Sequence, residues 1–259
     1  MDGKLKQYAH IGTGNYNPST ATIYTDISYM TSNDAITHDM TRFFHFLTGF
    51  SKKGKLHELY MAPTQIKPKI LSLIQNETRM GSEGVIIAKM NALVDEDIIK
   101  ALYKASQAGV KIELIIRGIC CLRPGVPGVS ENIRVISIIG KYLEHARIFY
   151  FKHSTPQTYI SSVDWMPRNL LRRIELLTPI QGEEIADKLI QILQLQSSDT
   201  VLAHELQNDG SYVKIKPEGN NLIDSHKIAE MQTNKMYNSV KKQSPNYVHQ
   251  LTTRLFKES

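Results

Sequence analysis

The chain has 259 residues, 41% hydrophobic and 22% charged, an ordinary globular mix with room for one large or two small cored domains. No apolar run is long enough to span a bilayer, and the opening MDGKLKQ lacks the apolar centre of a signal peptide, so a cytoplasmic setting is expected. The net charge of +6 suits an anionic ligand without demanding one, and the two adjacent cysteines, Cys120 and Cys121, make neither a disulfide framework nor a metal cage. They read as small buried residues at a strand end.

Residues 8–17, YAHIGTGNYN, carry Gly12 and Gly14 in a loop that could let backbone N–H groups approach an anion. Residues 20–31, TATIYTDISYMT, alternate and predict a strand. Residues 34–48 predict a helix capped by Asn33 or Asp34. The basic connector GFSKKGK (49–55) marks a domain boundary, giving units of 1–58 and 59–259.

In the second unit, 66–80 predicts a helix and 84–93 a buried strand. Asp95 can cap a helix that ends at Gly109, and 110–118 predicts another strand; strand, helix, strand at this spacing is a βαβ unit. Strands follow near 133–139, 147–152, 158–163 and 172–178, then an amphipathic helix over 182–195. The Asn208-Asp209-Gly210 turn predicts a hairpin, 223–232 a short helix, and the lysine-rich tail after about 235 a frayed end. The fold class is α/β, with a mixed, largely parallel sheet flanked by helices.

The glycine loop has an internal partner. GTGNYNPSTATIYTD (12–26) aligns without a gap on SSVDWMPRNLLRRIE (161–175). Thr13 falls on Ser162, Asn15 on Asp164, Tyr16 on Trp165, Pro18 on Pro167 and Asp26 on Glu175. Upstream of the second copy, LEHARIFYF (143–151) puts His145 and Arg147 on one face of a strand. An imidazole can attack phosphorus or move protons, and a guanidinium stabilises a transferring phosphoryl group. A carboxylate such as Asp26 or Glu175 can hold the far nitrogen of a histidine. By the repeat spacing, the matching histidine of the first copy falls at or before residue 1; His10 aligns instead with Tyr159.

The repeat pattern resembles the phospholipase D superfamily, whose paired HxK-type motifs form one site. Three strings, YAHIGTGNYNPSTATIYTD, LIIRGICCLRPGVPGVSENIRVISIIGKYLEHARIFYF and YISSVDWMPRNLLRRIELLTP, are similar more closely to bacterial polyphosphate kinases of the first type. The likeness runs to DGSYVKIKP and implies phospholipase D-like modules, the end of one followed by all of a second. It also implies reversible transfer of the terminal phosphate of ATP to inorganic polyphosphate through a phosphohistidine, with Mg2+. Carried over by residue, it makes Tyr24 the tyrosine against the adenine and Arg117 and Arg173 phosphate-binding arginines. His145 becomes the second active-site histidine, binding nucleotide phosphate and moving protons. Asp26 and Glu175 become the carboxylates that orient the two histidines.

The resemblance places the phosphorylated histidine and the magnesium-linked residues upstream, so the chain is expected to be a C-terminal piece, inactive alone and holding no metal itself. ATP or ADP and polyphosphate are the implied partners, nucleic acid is not, and the full-length enzyme is expected to be a homo-oligomer with peripheral membrane association. Two other readings stand beside this one: a non-catalytic polyphosphate- or nucleotide-binding module, and a phospholipase D-like phosphodiesterase. Arg147 in place of the motif lysine counts against the second.

Overall fold

The computed structural model describes residues 6–50, 55–217, 219 and 222–243. Its strands are β1 Ala9–Gly12, β2 Tyr24–Thr25, β3 Ser28–Thr31, β4 Tyr60–Met61, β5 Val85–Met90, β6 Lys111–Ile116, β7 Ile133–Ile138, β8 Leu143–Glu144, β9 Arg147–Phe151, β10 Thr158–Ser161, β11 Leu176–Pro179, β12 Ala203–Leu206 and β13 Tyr212–Lys214. Its helices are α1 Pro18–Ala21, α2 Asp34–Leu47, α3 Ile66–Arg79, α4 Glu96–Gln107, α5 Pro167–Arg172, α6 Glu183–Ser197 and α7 Ser225–Gln243.

The frame is a nine-stranded sheet in the order β13-β12-β7-β6-β5-β9-β10-β11-β4. The expected βαβ unit is β5–α4–β6, and β5, β6 and β7 run parallel. All other neighbours in the sheet are antiparallel. The sheet is therefore mixed but not largely parallel. The links from β9 to β10 and from β12 to β13 are too short for the crossover that parallel strands need.

Alternation along the strands divides the interior in two. Ile112, Leu114 and Ile116 of β6 pack with α3 (Ile66, Ile70, Leu73) and α4 (Ile98, Leu102). Ile115, on the opposite face of β6, joins Ile136, Ile148 and Ile160 against α6 (Leu189, Leu193) and Ile36 of α2. Residues before the basic connector thus share a core with residues after it.

Local signals set most boundaries. The Asn33 side chain accepts from the N–H groups of Ala35 and Ile36, fixing the start of α2, and Asp95 accepts from Ile98 to start α4. Asn208-Asp209-Gly210 closes the expected β12–β13 hairpin. Four expectations are corrected. Pro18 opens the short helix α1, which runs into the start of 20–31, and two short strands, β2 and β3, stand in place of one long one. In the same way Pro167 opens α5, which runs to Arg172, so the next strand starts only at Leu176. Helix α7 continues to Gln243, well past residue 232; the tail beyond it, like residues 51–54 of the connector, lies outside the described residues. Cys121 is exposed and Cys120 half-buried, because both lie in the loop after β6; burial pushes the Cys120 thiol up to about 11.

Candidate active site

The two aligned segments fold alike. β1 pairs antiparallel with β3, placing Gly12 opposite Ser28, and β10 pairs with β11 in the equivalent register, Ser161 opposite Leu177. Pro18 and Pro167 each open the helix between the strands. The Thr13 hydroxyl donates to Asp26 Oδ1 (2.8 Å) and accepts from the N–H of Ile27. The Ser162 hydroxyl donates to Glu175 and accepts from the N–H of Leu176. Low sequence identity therefore conceals one motif used twice.

The copies differ in what covers them. Trp165 is wholly buried against Phe149, their ring centroids 5.0 Å apart, and Asp164 is buried. Their counterparts Tyr16 and Asn15 are exposed, Tyr16 to 76%.

His145 lies between β8 and β9, where it meets the first copy across the molecule. Its Nδ1 is 2.9 Å from Asp26 Oδ1 and 3.1 Å from Oδ2. β2 runs parallel to β8, pairing Thr25 with Glu144, and this ladder brings Asp26 to the histidine. Burial works against the charge of Asp26, but the hydrogen bonds with His145 and Thr13, with Arg147 nearby, hold its carboxyl below the usual range. Gly14 makes room for the arrangement: a Cβ there would stand 2.0 Å from Asp26 Oδ2. The glycine of the opening loop thus accommodates a carboxylate of the protein itself.

Arg147, two residues from His145, turns its fork inward. Nε and Nη2 donate to Asp164 Oδ1 and Oδ2 at 3.1 and 2.9 Å, and Nη1 donates to the Thr13 carbonyl at 3.0 Å. Nη1 also stands 3.2 Å from His145 Nε2. With this fork filled, Arg147 ties the two copies together and steadies the imidazole.

Arg117 follows β6 and enters the same network. Its Nε donates to Asn91 Oδ1 at 2.8 Å, while Asn91 Nδ2 reaches the His145 carbonyl and Asp164 Oδ1, both at 3.2 Å. The Tyr24 ring lies against the imidazole, centroids 4.7 Å apart. His145, Asp26, Tyr24 and Arg117 are therefore brought together. Glu175 and Arg173 form a second locus: Arg173 Nη1 is 3.9 Å from Glu175 Oε1, beside a cavity of about 200 Å³ lined by His10, Gly12, Met40, Phe43, Ser162 and Glu175. Burial raises the Glu175 carboxyl, and the Ser162 hydrogen bond and the Arg173 charge offset this only in part. Among the described residues Glu175 has no imidazole partner.

Sequence reasoning missed Asn91, Lys89 and Glu144. Lys89 Nζ lies 2.7 Å from a Glu144 carboxylate oxygen, both side chains buried. A lysine and an asparagine in the apolar run VIIAKMNAL were the available signal, since such groups are buried only with partners.

Imidazole, guanidinium and carboxylate gathered across two copies of one motif define an α/β protein with a shared, pseudo-symmetric site suited to phosphate chemistry. The profile described as "Polyphosphate kinase C-terminal domain 2" matches residues 59–226, and "Polyphosphate kinase C-terminal domain 1" matches residues 1–53. The chain belongs to the polyphosphate kinase family. It is 57% identical over 257 residues to a polyphosphate kinase of Campylobacter jejuni, covering 99% of this chain and 37% of that protein. Against a polyphosphate kinase of Helicobacter pylori it is 52% identical over 237 residues, covering 91% and 35%. The crystal structure of polyphosphate kinase from Porphyromonas gingivalis superposes with a TM-score of 0.85 at 34% identity, over 90% of this chain and 37% of that one. The chain thus spans somewhat over a third of the length of these relatives. Among the described residues no helix is long and apolar enough to cross a membrane.

Proposed function

We propose that this chain is the C-terminal catalytic region of a polyphosphate kinase, which moves the terminal phosphate of ATP to inorganic polyphosphate and back in the cytoplasm. The observation that carries the proposal is the His145–Asp26 contact, made between the two copies of the motif. With Nδ1 held by Asp26, Nε2 is the nitrogen that meets a phosphate oxygen or exchanges a proton with it, and Arg147 Nη1, 3.2 Å from Nε2, stands beside the same phosphate. Arg117 and Arg173 bind phosphate, and Tyr24 offers its face to the adenine.

Glu175 supports a second half of the cycle. It occupies in the second copy the place that Asp26 occupies in the first; among the described residues no imidazole bonds to it, and His10, which lines the same cavity, pairs with the Tyr16 hydroxyl. A histidine from outside the chain would meet it there and carry the phosphoryl group. A bond from a nitrogen of that histidine to the γ phosphorus forms as the bond to the β–γ bridging oxygen breaks and ADP leaves; a terminal oxygen of the polymer then bonds to the phosphorus as the bond to nitrogen breaks. Exposed Asn15 and Tyr16, set against buried Asp164 and Trp165, leave the first copy open to a further strand. In this reading residues 1–58 end one module and 59–259 form the next.

The residues present do not fit the Mg2+ that such chemistry uses. Among the described residues no group of three His, Cys, Asp or Glu side chains could hold an ion. Asp26, beside His145, and Asp164, beside Arg147, are engaged by His145, Thr13 and Arg147.

ATP labelled at its γ phosphate, incubated with the chain and polyphosphate, tests the proposal. Nucleotide binding that weakens in His145→Ala, without polymer synthesis or a stable phosphohistidine, is expected. Synthesis by the chain alone would overturn the assignment of the second histidine to an outside segment. Binding indifferent to His145 would favour a general anion-binding module, in which many charges share the task.

A further inference from the structure

The residue before His145 is a buried carboxylate, Glu144. Glu144 is buried and receives four donors: Lys89 Nζ at 2.7 Å, His226 Nε2 at 2.8 Å, Gln196 Nε2 at 2.8 Å and the Thr25 hydroxyl at 3.1 Å. These come from β5, α7, α6 and β2, so four separate elements converge on one side chain. Burial alone would raise this carboxyl; Lys89, then His226 and Gln196, hold it far below the usual range. Lys89 also donates to the carbonyl of Ala146, on the other side of His145, at 3.3 Å.

Helix α7 grips the same loop through its first two turns. Besides the bond from His226 to Glu144, the Tyr142 ring lies 5.5 Å from the His226 ring, and Glu230 accepts from both Lys141 and Tyr142. Gly140 completes the fit: a Cβ there would stand 2.7 Å from His226 Nδ1. Among the described residues that nitrogen is buried without a hydrogen-bond partner, so Nε2 carries the proton that Glu144 receives. Beyond this grip α7 is exposed at Met231, Met236 and Tyr237.

We infer that His226 is a positioning residue for His145, acting through Glu144 to fix the 140–145 loop so that the imidazole meets Asp26. His226 itself touches no reacting group. The inference deepens the proposed function, since it matters for turnover only if His145 takes part in it. The geometric claim can be tested without nucleotide.

The test is NMR of the 259-residue chain with labelled histidine, observing the His145 Nδ1 proton, which a carboxylate partner shifts downfield. In His226→Ala this signal should move upfield or broaden away while the amide spectrum stays that of a folded protein. His226→Gln, which keeps a donor near the Nε2 position, should restore it. Gly140→Ala presses on the His226 ring without removing either partner, and should displace the signal part of the way. This variant carries the test if His226→Ala does not fold. An unmoved His145 signal in folded His226→Ala, or in folded Gly140→Ala, would overturn the inference. Failure of the phosphate chemistry would leave these signals as predicted, so the two claims fail separately.

Discussion

Thr13 and Ser162 make the same hydrogen bonds in the two copies of the motif: each hydroxyl donates to a carboxylate, Asp26 or Glu175, and accepts from the backbone N–H that follows that carboxylate. A hydroxyl is needed in both copies because it must donate and accept at once. Thr13→Val and Ser162→Ala should each lower the free energy of unfolding by about 1–3 kcal/mol, the cost of leaving a partly buried carboxylate short of a donor. Urea denaturation of the two variants checks this.

Gly14 is required by the carboxylate beside it. Gly14→Ala must move the loop or push Asp26 off His145, because the added methyl carbon and Oδ2 cannot both occupy their places at 2.0 Å. The expected outcome is a folded protein with weakened nucleotide binding, measured by calorimetric titration of ATP. Gly12→Ala should be milder, as its Cβ meets the nearest atom, the Tyr16 hydroxyl oxygen, at 3.4 Å.

Asp26 and Glu175 should oppose each other in pH dependence. The Asp26 carboxyl is lowered from 3.8, so its contribution to stability is present above that value and is lost as pH falls through the lower folded value. The Glu175 carboxyl is raised from 4.5, so the folded state favours its protonated form; that contribution is present below 4.5 and is lost as pH rises through the higher folded value. Asp26→Asn should therefore be less stable than wild type at neutral pH, the difference closing in acid. Glu175→Gln should be more stable at neutral pH, its advantage vanishing in acid. Urea midpoints measured across pH 3–7 (about the carboxylate range) check both signs.

Lys89 and Glu144 form a buried pair, and removing Lys89 leaves the buried carboxylate with its other donors but without this cation. Lys89→Met should cost about 3–5 kcal/mol. Chemical denaturation reads the cost. The same variant should disturb His145, whose neighbour Ala146 loses a hydrogen bond from Lys89.

Much of this was legible in the chain, and the rest was not for physical reasons. Caps and periodicity announced α2, α4 and the βαβ unit because Asn33, Asp95 and Gly109 do local work that any observer of the sequence can see. The repeat was legible because hydroxyl, carboxylate and proline had to stay in place while everything between them changed. Strand direction was not legible: it depends on which neighbours pair, and β9 inserts beside β5 although it follows β8 in the chain. Helices α1 and α5 are hidden at the edges of alternating runs, where Pro18 and Pro167 mark the repeat as readily as they mark a helix start. The roles of Asn91 and Lys89 could not be read, since each is defined by partners more than fifty positions away, such as His145, Ala146 and Glu144. Arg147 kept its place beside His145 but turned its fork toward Asp164, an orientation that spacing along a strand does not reveal.

The central claim is that two copies of one motif build a single nucleotide-phosphate site around His145. ATP titrated into the histidine-labelled chain and followed by NMR tests it most directly, with calorimetry on His145→Ala and Arg117→Ala alongside. The account predicts that ATP shifts the His145 Nε2 signal most among the nine histidines, and that each variant loses affinity by about tenfold, the worth of one charge-assisted hydrogen bond. ATP binding that leaves the His145 signal in place, or that is equally tight in both variants, would contradict it.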